Sequence, residues 1–586
     1  DHQFALFASP FEIHDKLGHY NSLVWVKDLR NHQPVANARL SLVLGSLKTL
    51  NVNNPLFPTK TDKHGVAWLP GTVELDPKLS LLGRGIGERL LYVRVEKDSE
   101  IAFLPLSYEF QYSNYSDIAI SQQGAYGHLR AWGMTAQGIY KLGDVVEYKI
   151  FVRNQSNSGF IAAPLRHYHL KITDPLHKIV HEQKNLHLSD FGTLVGQFTV
   201  PAQGAAGTYQ VELRTSLNSQ TLHPFTVLVA DFRPAPFKVS QTLEPKRLRH
   251  GETLKVSTRA ALHAGGPYQK PQIRLTLNLQ HAPFNPTHPL AKGFHFDVPH
   301  SYHSTTVGQA QATGDAQGAH QQGFAVTSTE PVYGNLEVES AVRDDRGKWT
   351  STQSSIPYAA RDRFIGLKLD DWVLSANKPT KIQALVVDDT GNPAAGTNSN
   401  LLIEHEEHRI SRSKDAQGEE QIKVDRVWVK AGHCEFVSTL KARDCEFIPR
   451  KSGQYRLNAS IADTRQRVHS TQFSRWASGT EALYWDSDKS NRLEIVSPRA
   501  SFKPGDTAEF LIKNPFPAAH ALVTVERFGV LEQWTTPLVG SIATIRVPIK
   551  AQHAPGFYLS VTLFDSEKPK PNANKADLRP TFRLGY

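Results

Sequence analysis

The chain has 586 residues, 40% of them hydrophobic and 21% charged, with a formal net charge of +10. That length allows roughly three to six domains of about 100–200 residues, each able to bury its own core. No apolar run reaches the roughly 18–20 residues a membrane helix needs. Lys and Arg are dispersed, which excludes the clustered footprint of a nucleic-acid surface, and the densest group, Lys246 to Arg249, is too short to make one.

Position 1 is Asp1 and the single methionine is Met134, so the expectation is an excised piece of a longer protein. No signal peptide is visible. Gly and Pro are frequent throughout, which suits many turns between short strands. Tyr20 to Val26 and Arg39 to Leu44 read as strands, separated by a polar turn at Asp28 to Asn37. Val145 to Val152 and Gln272 to Leu279 alternate apolar with polar, the pattern of a strand with one face on a core. Glu404 to Arg412 comes nearest to a helical stripe, but its charges crowd every face.

A unit recurs at about one domain's length, as in an array. Its first half is a turn followed by an alternating strand, at Tyr140 to Ile150, Leu248 to Ser257 and Phe502 to Ile512, with a weaker copy at Ser375 to Leu385. Its second half is a strand entered through Gly and an aromatic residue, at Gly207-Thr208-Tyr209, Gly453-Gln454-Tyr455 and Gly556-Phe557-Tyr558. Polar turns after Ala341-Val342 and Ile461-Ala462 read as hairpins that join two final strands. The phase of these repeats predicts five antiparallel β-sandwich domains, at 1–118, 119–230, 231–361, 362–477 and 478–586. Segment 298–330, rich in Gly, Ala, Gln, Ser, Thr and His, reads as a long flexible loop or disordered insertion in the third.

Catalytic signatures are missing. There is no Gly-x-Ser-x-Gly elbow, no phosphate-binding Gly-x-x-x-x-Gly-Lys loop and no His-Glu-x-x-His helix. In His405-Glu406-Glu407-His408 the histidines stand three apart rather than four, and the string reads as a solvated face. His281, His288, His295, His300, His303 and His320 read as parts of a polar loop, with weak metal binding as the alternative. Trp428, Trp476, Trp485 and Trp534 read as core or interdomain packing, with stacking on sugars as the alternative. Cys434 and Cys445 fit a disulfide across a β-hairpin, which implies an oxidising compartment; two reduced thiols are the alternative. The residues thus predict a structural and interaction protein with no catalytic, cofactor or metal site.

The last domain is more specific. Tyr484 to Lys489, Leu493 to Val496, Phe502 to Phe510, Asn514 to Pro517, Ala521 to Arg527 and Ala554 to Tyr558, in that order, resemble the macroglobulin-like domains of bacterial alpha-2-macroglobulins. Tyr140 to Val152 looks like a turn of an earlier domain of that family, and Asp388 to Pro393 like its interdomain hairpins. The resemblance implies seven-stranded, fibronectin-like sandwiches and a periplasmic, lipid-anchored protease trap whose partners are proteases and its own further domains. A protease cuts a bait segment, the molecule collapses, and many members capture the protease through a thioester in a Cys-Gly-Glu-Gln motif. Neither cysteine begins that motif: Glu435-Phe436 follows Cys434, and Glu446-Phe447 follows Cys445. The resemblance places bait and thioester C-terminal to the matched region, so the chain reads as scaffold of a longer protein; equally, the missing motif fits a member that lacks the thioester and traps without covalent capture. The competing expectation is a cell-surface adhesion or carbohydrate-binding array, because tandem sandwiches serve both.

Overall fold

The computed structural model describes residues 10–46, 49–78, 80–82, 90–106, 126–217, 220–230, 235–297, 304–414, 420–479, 492–516, 518–565 and 582–585. Nearly all of its regular structure is antiparallel β. One plan repeats five times: the first, second and fifth strands make a three-stranded sheet, and the third, fourth, sixth and seventh make the other, in the order four-three-six-seven. In the first sandwich these sheets run Phe11–Leu17, Asn21–Asp28, Val66–Pro70 and Leu56–Lys60, Arg39–Gly45, Leu90–Lys97, Glu100–Pro105. The second, third and fourth sandwiches add only strips of two or three residues to this plan, such as Leu248–Arg249 and Val373–Ser375.

Five hydrophobic clusters fill the sandwiches, within residues 11–106, 129–229, 237–360, 365–477 and 493–563. The alternating strands supply them: Val146, Tyr148, Ile150 and Val152 point into the second core, and Ile273, Leu275, Leu277 and Leu279 into the third. We propose domain boundaries near 118, 230, 361 and 477 because each cluster falls inside one such stretch. The chain forms two compact units, residues 1–232 with 484–586, and residues 233–483.

Two local devices recur. The aromatic residue after the entry glycine is a tyrosine corner: the Tyr209 hydroxyl donates to the Ala205 carbonyl at 3.0 Å, and that of Tyr455 to Lys451 at 2.9 Å. The other is an aspartate-closed turn. Asp62, Asp174, Asp315, Asp344, Asp388 and Asp463 each accept, on one carboxylate oxygen, the amides two and four residues ahead, at 2.8–2.9 Å. In all six the residue three ahead is left-handed: Gly65, His177, Gly318, Gly347, Gly391 and Gln466. Glycine takes that conformation without a Cβ penalty, whereas His177 and Gln466 bear it.

Segment 298–330 is corrected. Thr305–Thr313 pairs along Gln272–His281, and Ala319–Ala325 along Thr253–Leu262, joined by the Asp315 turn. The two strands are outer members of opposite sheets. An edge strand keeps one face in water, so its composition is polar, and the ladder rather than its own side chains holds it. Its inward contributions are modest: Val307, Ala310 and Phe324 pack partly buried against the third core. Gly308 lies so close to Phe324 that a Cβ there would fall 2.9 Å from the ring. Residues 298–303, with His300 and His303, lie outside the described residues.

The disulfide geometry is corrected too. Cys434 and Cys445 are bonded, with Cα atoms 6.2 Å apart. They do not sit across a hairpin: Glu420–Val437 belongs to the five-stranded sheet and Arg443–Phe447 to the three-stranded sheet of the fourth sandwich. The bond staples one sheet to the other, with Cys445 buried in the core and Cys434 packed against it.

Two outcomes follow for the fold. Gln466→Gly relieves a left-handed residue and should stabilise its hairpin by about 1 kcal/mol, seen as roughly fivefold slower hydrogen exchange in Gly453–Ala462 and Val468–Ser478; unchanged or faster exchange would contradict it. Amides of Thr305–Thr313 and Ala319–Ala325 that donate to the ladder should be protected on the order of a hundredfold. Exchange at unfolded-chain rates there would restore the loop reading.

Candidate functional site on the fifth sandwich

A strand with one face on a core alternates buried and exposed residues. Among the described residues three strands break that rule over five or more residues. Ser22 through Lys27, Ala521 through Val525 and Leu559 through Phe564 are buried without interruption. The cause is packing of the first sandwich's three-stranded sheet against the fifth's four-stranded sheet. Leu23, Trp25 and Val66 close onto Leu522, Val530 and Phe564, and the Trp25 and Phe564 rings meet edge-on at 4.9 Å.

Polar groups are enclosed in the same contact. Lys16 Nζ lies 3.0 Å from Glu526 Oε1 and 2.5 Å from Ser560 Oγ, with the lysine side chain 6% exposed. The Thr524 hydroxyl also donates to Glu526. His14 Nε2 lies 3.3 Å from the Thr562 hydroxyl. Burial, helped by the neighbouring Lys16, pushes the His14 imidazole down to about 3, so it is neutral here at neutral pH. Removing one partner of a buried ion pair typically costs about 3–5 kcal/mol, because it strands the other charge.

One turn of the fifth sandwich, Arg527-Phe528-Gly529, joins this contact to the second sandwich. The Phe528 carbonyl accepts the amides of His19 (2.6 Å) and Tyr20 (3.1 Å). Asn21 brackets Val530, accepting its amide at 2.7 Å and donating to its carbonyl at 2.9 Å. From the second sandwich, Asn157 accepts the Phe528 amide at 3.1 Å and, on its carbonyl, Arg527 Nη1 at 2.8 Å. The His128 ring lies 4.2 Å from Phe528 and 4.5 Å from His19. Burial and the adjacent His19 and Arg130 push His128 down to about 4. The approach is tight: a Cβ on Gly18 would fall 2.4 Å from the Asn21 carbonyl and 2.6 Å from Gly529 Cα.

The residues singled out in the sequence lie elsewhere. His405 is on a strand and buried, with Nε2 3.0 Å from the Ser452 carbonyl, which corrects the solvated-face reading; His408 lies on the opposite face, 3.8 Å from Glu406. His281 pairs with Asp297 at 3.0 Å, His288 accepts the Leu290 amide, and the His295 backbone bridges to Leu367. Among the described residues no group of three or more His, Cys, Asp or Glu is arranged to hold a metal. Trp534 packs against the fifth core and Trp428 lies under the Arg456 guanidinium, while Trp485 is outside the described residues. The basic group at Lys246 to Arg249 joins the third sandwich to the fourth: Arg249 grips the Asp389 carboxylate at 2.8 and 3.1 Å. The first–fifth contact was not anticipated. Its signal was available in Leu23-Val24-Trp25-Val26 and Ala521 to Val525, which are apolar or small without alternation.

The fold and this contact define the class: a tandem series of macroglobulin-like sandwiches in which the last packs on the first. Comparison with known families is more specific. The model of the MG2 domain matches residues 130–229, and that of the alpha-2-macroglobulin bait region domain matches 493–581. The chain carries domains of the alpha-2-macroglobulin family. It is 21% identical over 402 residues to an alpha-2-macroglobulin homolog of Nostoc sp., covering 68% of this chain and 21% of that protein. It thus spans about a fifth of the length of the curated relative it matches. Among solved structures it is similar to Escherichia coli alpha-2-macroglobulin in its native conformation (17% identity, 98% of this chain, 35% of that one, TM-score 0.39). It is also similar to Salmonella alpha-2-macroglobulin reacted with methylamine (15% identity, 98% and 36% of the chains, TM-score 0.39). The expectation that the bait region lies C-terminal to the matched residues is corrected, because the bait region model falls on the fifth sandwich itself.

Gly18→Ala should push the Phe528 turn away at a cost of about 1–3 kcal/mol. The His19 and Tyr20 amides should lose protection by roughly five- to 150-fold, in line with the cost just given, while core amides of both sandwiches keep theirs. Unchanged protection at His19 and Tyr20 would contradict the junction.

Proposed function

We propose that this chain is the scaffold portion of a bacterial alpha-2-macroglobulin-type protease inhibitor, in which the fifth sandwich presents the segment that an attacking protease cuts. The observation that carries the reading is the bait region domain match at residues 493–581, on a sandwich whose four-stranded sheet packs against the first. Sandwiches joined by limited interfaces move as rigid bodies, so a cut in one is transmitted as relative displacement of the others. The chain itself breaks no bond; its partners are proteases and further domains of the same polypeptide. The sequence has no Cys-Gly-Glu-Gln motif, so no residue here is assigned a thioester role. A periplasmic setting, with a lipid anchor in the whole protein, agrees with the inter-sheet disulfide, which needs an oxidising compartment. Among the described residues no helix is long and apolar enough to cross a membrane.

The test is a time course with a trace of trypsin-like protease, followed by mass mapping of the first fragments. The first cut is expected between residues 493 and 581, with the strands of the other four sandwiches intact. First cuts inside those strands would count against the reading. Stoichiometric inhibition of a general protease by residues 1–586 alone would show that the chain is more than scaffold.

A further inference from the structure

Both faces of the first–fifth contact carry, beside the apolar cluster, residues suited to water. Thr524, Ser560 and Thr562 of the fifth sandwich are fully buried, and His14 and Lys16 of the first keep only 8% of their surface each. The cores of permanent interfaces are depleted of such groups. Lys27 is the extreme case. It is 1% exposed, and its Nζ has no hydrogen-bond partner. The ammonium sits 4.5 Å from the Phe564 ring centre and 5.5 Å from that of Trp25. The titratable groups that face it are Glu12, opposite it on the strand ladder, and His32 of the first sandwich, and His520 and Asp565 of the fifth. Attraction to Glu12 and Asp565 offsets only part of the loss of water.

We infer that the contact between the first and fifth sandwiches is a releasable clamp: Lys16 and Glu526 fix its register, while the enclosed Lys27 ammonium holds it below full strength, so the two sandwiches separate without unfolding. The inference stands on the interface and does not depend on the protease-trap reading. An ion pair whose partners both have hydrogen bonds specifies one alignment, whereas an enclosed ammonium without one opposes closure. Burial pushes the Lys27 amine down to about 8 from an ordinary 10.5. A lysine whose pKa falls on closure favours the closed state more as pH rises from the closed value toward the free one. The clamp therefore tightens between about pH 8 and pH 10.5.

The test uses the full chain with one introduced cysteine, because the two natural cysteines are bonded to each other. Thr562→Cys lies in the contact and reports separation; Ala521→Cys lies in the fifth core and reports unfolding. Iodoacetamide labelling is measured relative to the unfolded chain. Thr562→Cys is expected to label at least about tenfold faster than Ala521→Cys. Lys27→Met should slow labelling at Thr562→Cys by roughly tenfold, Glu526→Gln should speed it by roughly a hundredfold or more, and neither should change Ala521→Cys. Raising the pH from 8 to 10 should slow normalised labelling in the parent but not in Lys27→Met. Equal rates at the two cysteines would mean that the contact opens only by unfolding, and would overturn the clamp. So would unchanged or faster labelling in Lys27→Met, or unchanged or slower labelling in Glu526→Gln.

Discussion

The contact between the outer faces of the first and fifth sandwiches is the constraint on which the rest of this unit depends. Two sheets that would each face water are instead buried against each other, over Leu23, Trp25 and Val66 on one side and Leu522, Val530 and Phe564 on the other. That burial fixes where the Arg527–Gly529 turn lands, and the turn in turn ties in the second sandwich through Asn157. Within this unit the first, second and fifth sandwiches are thereby joined rather than independent.

The second unit is joined differently. The third and fourth sandwiches meet through Phe284, Phe296, Phe364 and Leu385, with the Arg249–Asp389 pair beside them. His469 completes this joint by accepting the Ile365 amide at 3.0 Å on Nδ1 and reaching the Phe296 carbonyl at 3.1 Å through Nε2. Burial pushes its imidazole down to about 4, which keeps Nδ1 an acceptor at neutral pH. Here an aromatic cluster and one neutral histidine do what charged pairs and hydroxyls do between the first and fifth. The aromatic joint has the composition of a core, whereas the other sets enclosed hydroxyls and charges beside its apolar cluster.

Much of this was legible in the sequence because it depends on neighbours in sequence. Alternation at Val145 to Val152 marked a half-buried strand, and glycine two residues before tyrosine at Gly207 and Gly453 marked the entry to a late strand. What was illegible depends on distant partners. The strands 305–313 and 319–325 owe their order to ladders with Gln272–His281 and Thr253–Leu262, so their polar composition read as disorder. The disulfide was recognisable as a pair, but its span from sheet to sheet was not, because loop length alone does not say which sheet the next strand joins. The first–fifth contact left a trace in the unbroken burial of Ser22 to Lys27, yet a continuous apolar run does not name what covers it.

The most direct measurement of the central claim, that the bait region sandwich is locked in register on the first, is a double-mutant cycle on Lys16→Met and Glu526→Gln, read from the stability of the residue 1–586 chain. The account predicts a coupling on the order of 1–3 kcal/mol, as for partners enclosed together. Additive effects, with coupling near zero, would mean that the two side chains do not meet and would contradict it.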